Sequence, residues 1–155
     1  MRKWLWFLNA RDAQVLQHLL VMAKRFSELI CWQLARDLRR EVFMLTSKAT
    51  VDQNFTLRDQ LEDASSSACA NISEGFARLT HREFHRFLEV SRSSVNEVED
   101  RLTESVEKRY LTEQDIRTSL NLCKRTRVAT SRLMESLKQR PDPERNRWPK
   151  KRRPR

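Results

Sequence analysis

Asn71, Glu74 and Arg78 are the first residues in this chain whose types and spacing could do chemistry. They lie three, four and seven positions apart, so a helix would carry all three on one face. Glu74 precedes Arg78 by four, the favourable order for an ion pair along a helix. Gly75, the only glycine of the chain, sits among them. A carboxylate beside an amide and a guanidinium can serve as an active site. It can equally fix which packing a helical bundle adopts, because buried polar groups that satisfy one another exclude alternatives. The cluster reads as the second. His81 and His85, four apart, could clasp a metal, but a zinc protease motif needs Glu directly after the first His, and Arg82 stands there. Both read as solvated histidines near a helix start. A di-iron bundle site needs Glu-x-x-His on two helices, a spacing that does not occur, and one glycine cannot build a phosphate loop. Cys31, Cys69 and Cys123 are widely spaced and odd in number, as buried small hydrophobes in a reducing compartment would be. The expectation is therefore a non-enzyme with no catalytic residue, cofactor or metal.

The other chemistry on offer is electrostatic. The chain of 155 residues carries +10, and that charge is unevenly placed. Residues 1–26 hold five basic and one acidic residue, and 140–155 hold eight basic and two acidic. The span 27–139 holds eighteen of each. Arg145, Arg147, Lys150, Lys151, Arg152, Arg153 and Arg155 surround Trp148, a pattern suited to phosphates and an unpaired base.

The elements behind these residues read as helices. Turn formers are scarce, and three of the four prolines lie beyond residue 140. A first helix is expected from about Ser27 to Leu45 with a core stripe of Ile30, Leu34, Leu38, Val42 and Leu45. Trp32, Ala35 and Phe43 fall off that stripe, as subunit contacts would; the plainer alternative is a wide core face. Ser47 to Val51 makes a turn, and Asp52 or Asn54 caps the second helix. Its stripe is Leu57, Leu61, Ala64, Ala68 and Ile72, and Gly75 ends it in the left-handed conformation. The small residues from Ala64 to Ala70 allow a neighbouring helix to approach closely. Thr80 to Glu83 opens the third helix as a capping box, followed by Phe84, Phe87, Leu88, Val95, Val98, Leu102 and Val106, with Tyr110 closing it. Thr112 to Asp115 opens the fourth, which continues through Ile116, Leu120, Cys123, Thr130, Met134 and Leu137. Arg127 interrupts that stripe and faces a subunit boundary, a channel or water.

Three blocks then point to a family. Asn71-Ile-Ser-Glu-Gly-Phe-Ala-Arg78 resembles an Asn-Ile-Ala-Glu-Gly-x-Gly-Arg signature. Phe26-Ser-Glu-Leu-Ile-Cys-Trp-Gln-Leu-Ala35 resembles Phe-x-x-Leu-x-x-Trp-Gln-x-Ala. Arg86 to Glu97 resembles Phe-Leu-x-x-Ala-Arg-Gly-Ser-x-x-Glu, and places Arg92 and Glu97 beside the Asn71 block as a structural motif. These are the marks of the bacterial four-helix bundle proteins, which include those encoded in intervening sequences of 23S ribosomal RNA genes. The resemblance, from about Phe26 to Leu137, implies an all-α, up-and-down four-helix bundle. It also implies a homo-oligomer, a pentameric ring, with Trp32 and Phe43 at its interface. Distant relatives assist the reverse transcriptase of diversity-generating retroelements and bind nucleic acid, which makes nucleic acid, a reverse transcriptase or another protein the expected partner. One departure bears on this. Relatives carry basic residues after the Gln-Leu of helix two, where this chain has Glu62-Asp63. Arg117, Lys124, Arg125 and Arg132 on helix four can compensate, although taken alone they read as a solvated face.

The domain expectation is an N-terminal extension (1–25), the bundle (26–139) and a basic, disordered tail (140–155). The extension has a short helical pattern at Leu16, Leu19, Leu20 and Ala23. Its Trp4, Trp6 and Phe7 either cover a partner surface or belong to translated leader ahead of the true start. Asn9, Arg11 and Asp12 interrupt the early apolar run, so neither a signal peptide nor a membrane span is expected, and the location is cytoplasmic.

Overall fold

The computed structural model describes residues 23–78 and 80–139. The expected N-terminal helix at 16–23 falls almost wholly outside these residues. So do all eight tail residues, Arg145, Arg147, Trp148, Lys150, Lys151, Arg152, Arg153 and Arg155.

Four long helices follow one another: α1 (Ile30–Thr46), α2 (Phe55–Phe76), α3 (His81–Glu107) and α4 (Glu113–Lys138). A 3-10 turn at Phe26–Glu28 precedes α1, and a single helical turn, Ala49–Asp52, separates α1 from α2. The chain is an all-α four-helix bundle, with no strand among the described residues. The starts of α2, α3 and α4 are capped by side chains as the local sequence dictates, whereas α1 follows Leu29 without one. Asn54 Oδ1 accepts the Leu57 N–H at 3.1 Å, and Thr80 Oγ1 accepts the Glu83 N–H at 3.1 Å. Thr112 and Asp115 form the reciprocal box, each side chain accepting the other's backbone N–H, at 3.2 and 2.9 Å.

The helices run up and down. Thr46 Oγ1 donates to Glu62 Oε1 at 2.6 Å, joining the end of α1 to the first half of α2. Ser91 Oγ donates to the Ala68 carbonyl at 2.8 Å, and the Ser67 and Ser94 hydroxyls are 3.0 Å apart, which sets α3 against α2. Arg127 on α4 pairs with Glu99 on α3 and donates to Asn96 Oδ1 at 3.4 Å. Arg127 is half-buried and bridges α3 and α4 within one chain. Glu62, half of the acidic departure from the family pattern, is likewise used inside the bundle.

Two core clusters stack along the bundle. One gathers Leu38, Val42, Leu61, Val98, Leu102 and Ile116; the other gathers Cys31, Ala35, Ile72, Leu88, Leu133 and Met134. The α2 stripe is buried as expected throughout. On α1 the stripe is rotated: Cys31 and Ala35 are fully covered, while Ile30 and Leu34 are half-buried. Ala35 is therefore core and not an outward contact, because a residue without a long side chain is what the close approach at that level accommodates. Phe87 and Val106 are also only half-buried.

Gly75 requires a correction. It lies inside α2 with a right-handed backbone; no glycine has positive φ. Glycine stands there because of proximity: a Cβ would lie 2.6 Å from Phe84 Cδ2 and 2.7 Å from Phe87 Cβ. The left-handed position is instead at Arg109, φ 59°, just past α3. There the Tyr110 N–H reaches back to the Ser105 carbonyl at 2.8 Å, the wrap that closes a helix end around a left-handed residue. Glycine would relieve the left-handed cost at that site.

Three outcomes follow. Gly75→Ala is expected to lower stability by about 1–3 kcal/mol by forcing α2 and α3 apart, with Gly75→Val worse, read as the denaturant midpoint at unchanged slope. Arg109→Gly is expected to raise stability by about 1 kcal/mol in the same measurement. Asp115 accepts from the Lys48 ammonium and from the Thr112 N–H and hydroxyl, and these hold its carboxyl well below the usual Asp range. A depressed folded value means the stabilisation is complete above the unfolded Asp value of about 4 and is lost as pH falls below it. Asp115→Asn should therefore flatten the acid limb of a stability-against-pH curve; an unchanged limb would count against the Lys48 link.

Candidate nucleic-acid interface

The Asn71, Glu74 and Arg78 cluster is built on one helix face as its spacing requires, but it is not buried. Asn71 is half-buried; its Nδ2 donates to the Ser67 carbonyl at 2.8 Å and to Ser67 Oγ at 3.1 Å. It thus reaches α3 only through the Ser67–Ser94 pair. Glu74 and Arg78 form the expected ion pair in solvent, and the Arg78 guanidinium lies 4.6 Å from the Phe87 ring centroid. Arg92 and Glu97 do not join them: both are exposed, and Arg92 Nη1 turns to Ser131 on α4 at 3.4 Å. The reason is register. Ser91, Ser94, Val95 and Val98 occupy the buried face of α3, so positions 92 and 97 point outward.

His81 and His85 are both half-buried, which corrects the solvated reading. His85 Nδ1 is 3.7 Å from Glu89, and its Nε2 is buried without a hydrogen-bond partner among the described residues. Among the described residues no group of three or more His, Cys, Asp or Glu side chains is placed to hold a metal. The cysteines are buried free thiols. Loss of hydration pushes Cys31 and Cys123 up to about 12 and Cys69 up to about 11, so all three stay protonated near neutrality.

The two aromatic side chains singled out as an interface differ. Trp32 packs onto the second core cluster, with Phe26 edge-on at 5.1 Å and the Arg36 guanidinium 5.5 Å from its ring. It is half-buried within its own chain. Phe43 is open, at 42% exposure, and Met44 and Phe55, at 61% and 65%, add apolar surface at the same end of the bundle. Met44 and Phe55 escaped sequence reasoning because each sits at a helix end, where periodicity is weakest.

Arg117, Lys124, Arg125 and Arg132 are all exposed on α4, but they are strung along the helix rather than gathered. Arg117 stands beside Glu113 and Asp115, while Arg132 lies near the opposite end. Arg82, Arg86 and Lys138 are further exposed cations that sequence reasoning did not select. Adding charges by helix half, with alternate helices reversed, would have found them. No helix among the described residues is long and apolar enough to cross a membrane.

No curated protein matches the sequence. The model of the family described as 23S rRNA-intervening sequence protein matches residues 27–132, from the turn before α1 through most of α4. With two thirds of its length matched, and with the four helices that the family blocks anticipate, the chain belongs to the 23S rRNA-intervening sequence protein family.

Proposed function

We propose that this protein is a non-catalytic, oligomeric bundle that binds nucleic acid through charge, in association with a ribosomal RNA intervening sequence. The observation that carries this reading is the division of charge. The span 27–139 is neutral, and the whole formal +10 resides in residues 1–26 and 140–155. Long-range attraction for phosphates must therefore come mainly from the ends. Each phosphate neutralised by Arg or Lys releases counterions, so affinity falls steeply with salt. Trp148 adds a stacking surface for an unpaired base, worth ~1–3 kcal/mol. In a homo-oligomer, a pentameric ring by family resemblance, several tails act on one strand and raise the effective concentration. The tail has no base-reading geometry, so sequence preference is weak.

The test is a chain ending at Gln139 compared with full length, binding a structured RNA and a single-stranded DNA across a salt series. Full length is expected to bind more tightly and with a steeper salt slope. Equal affinity and slope would remove the tail from the mechanism; absence of binding by full length at low salt would sink the nucleic-acid reading and favour a protein partner. Oligomerisation is tested separately. Phe43, Met44 and Phe55 leave apolar surface that a second copy can cover, and a ring repeats one heterologous contact around an axis. Light scattering at micromolar concentration should show a closed oligomer that Phe43→Asp with Phe55→Asp dissociates; a wild-type monomer would refute the assembly.

A further inference from the structure

The up-and-down run of the helices sorts charge between the two poles of the bundle. One pole comprises residues 23–37, 69–78, 80–94 and 126–139, around the cluster of Ala35, Ile72, Leu88 and Leu133. It carries ten basic and six acidic residues, a net +4. The other comprises 38–68 and 95–125, around Val42, Leu61, Val98 and Ile116. It carries ten basic and twelve acidic residues, a net −2. Without Lys24 and Arg25 the positive pole carries +2, so the neutrality of 27–139 is the sum of a positive pole and a negative one. Ala23 and Gln139, where the described chain begins and ends, both belong to the positive pole. The +2 of residues 1–22 and the +6 of residues 140–155 are consequently attached to that pole.

Both poles hold paired and unpaired cations, so the contrast between them is one of net charge. At the negative pole Lys48 is bound to Asp115, Arg58 to Asp59, and both Arg101 and Lys108 to Glu104, while Arg109, Arg117 and Lys124 are exposed without an ion pair among the described residues; at the positive pole Arg36, Arg78 and Arg127 are paired. At the positive pole Arg82, Arg86, Arg132 and Lys138 are exposed and make no ion pair among the described residues. A cation already matched by a carboxylate gains little from a phosphate, whereas an unmatched one neutralises it and frees its counterion. A cationic surface opposite an anionic one also orients the molecule before contact.

We propose that the pole from which both chain ends emerge is the docking face for a nucleic-acid phosphate backbone, gripped by Arg82, Arg86, Arg132 and Lys138, with the negative pole turned away. This rests on the nucleic-acid reading above and locates its contact on the folded body. It also ranks the α4 cations by pole: Arg132 lies at the positive pole and belongs to the interface, and Arg117 lies at the negative pole and does not.

The test compares full-length wild type with Arg82→Gln/Arg86→Gln and with the control Arg117→Gln/Lys124→Gln, each binding a labelled single-stranded DNA and an RNA hairpin across a salt series. These side chains are exposed, and circular dichroism melts verify that each variant is folded. Removing two phosphate contacts should flatten the logarithmic salt slope for the single strand by about 1.4 and weaken binding about twentyfold near 0.1 M salt. The control should bind as wild type, and Arg82→Lys/Arg86→Lys should keep the wild-type slope, because charge is what is read. If wild type binds and the Arg82→Gln/Arg86→Gln variant binds equally with the same slope, the pole is not the docking face, while the nucleic-acid reading stands on the tail. If the control weakens binding as much as the pole variant, the polar orientation is wrong. If wild type binds neither nucleic acid at low salt, both readings fall together.

Discussion

The close approach of α2 to α3 sets the terms for the rest of the bundle. Along α2 the facing residues are Ala64, Ala68 and Gly75, and α3 answers with Ser91, Ser94 and, at Gly75, the flank of Phe84 and Phe87. Small side chains bring the two axes together, and that proximity lets a serine hydroxyl on one helix reach a backbone carbonyl on the other, as Ser91 does with Ala68. The polar atoms drawn into the contact are thereby satisfied, which is the condition for burying them. α1 and α4 cover the remaining faces, and the two core clusters lie on either side of the mid-plane.

The chain spends its single glycine on this approach and not on a turn. The left-handed residue at the end of α3 is Arg109, although glycine would adopt that conformation more cheaply. Arg109 can be accommodated because its side chain is exposed and only a torsional cost of about 1–2 kcal/mol has to be met. At position 75 no such tolerance exists, since a side chain would meet Phe87 Cβ, an atom fixed to the α3 backbone. Steric exclusion between two helices outweighs a torsional preference at one residue.

The same topology gives the electrostatics a direction. Four antiparallel helices bring Gln139 back to the pole where Ala23 stands. Within the body, carboxylates outnumber cations at the other pole, where some form pairs such as Lys48–Asp115 and the Arg101–Glu104–Lys108 group. A surface that is neutral by count is polar by placement.

What the sequence determined by itself is what depends on neighbours a few residues away. The four helices, their Asn54, Thr80 and Thr112 caps, the buried stripe of α2 and the Glu74–Arg78 pair were all legible, because capping and i,i+4 contacts are local. The three spaced blocks that mark the family were legible for the same reason. Tertiary structure decided everything that depends on residues distant in sequence. It turned Ala35 inward and left Leu34 half out; it made Gly75 a contact point instead of a helix end; it sent Arg92 to Ser131 and not to Asn71. It also divided a neutral body into unlike poles. A linear count cannot see that division, since reversing alternate helices is what sets Arg82 and Arg86 at the same pole as Arg132 and Lys138, some fifty residues further along the chain.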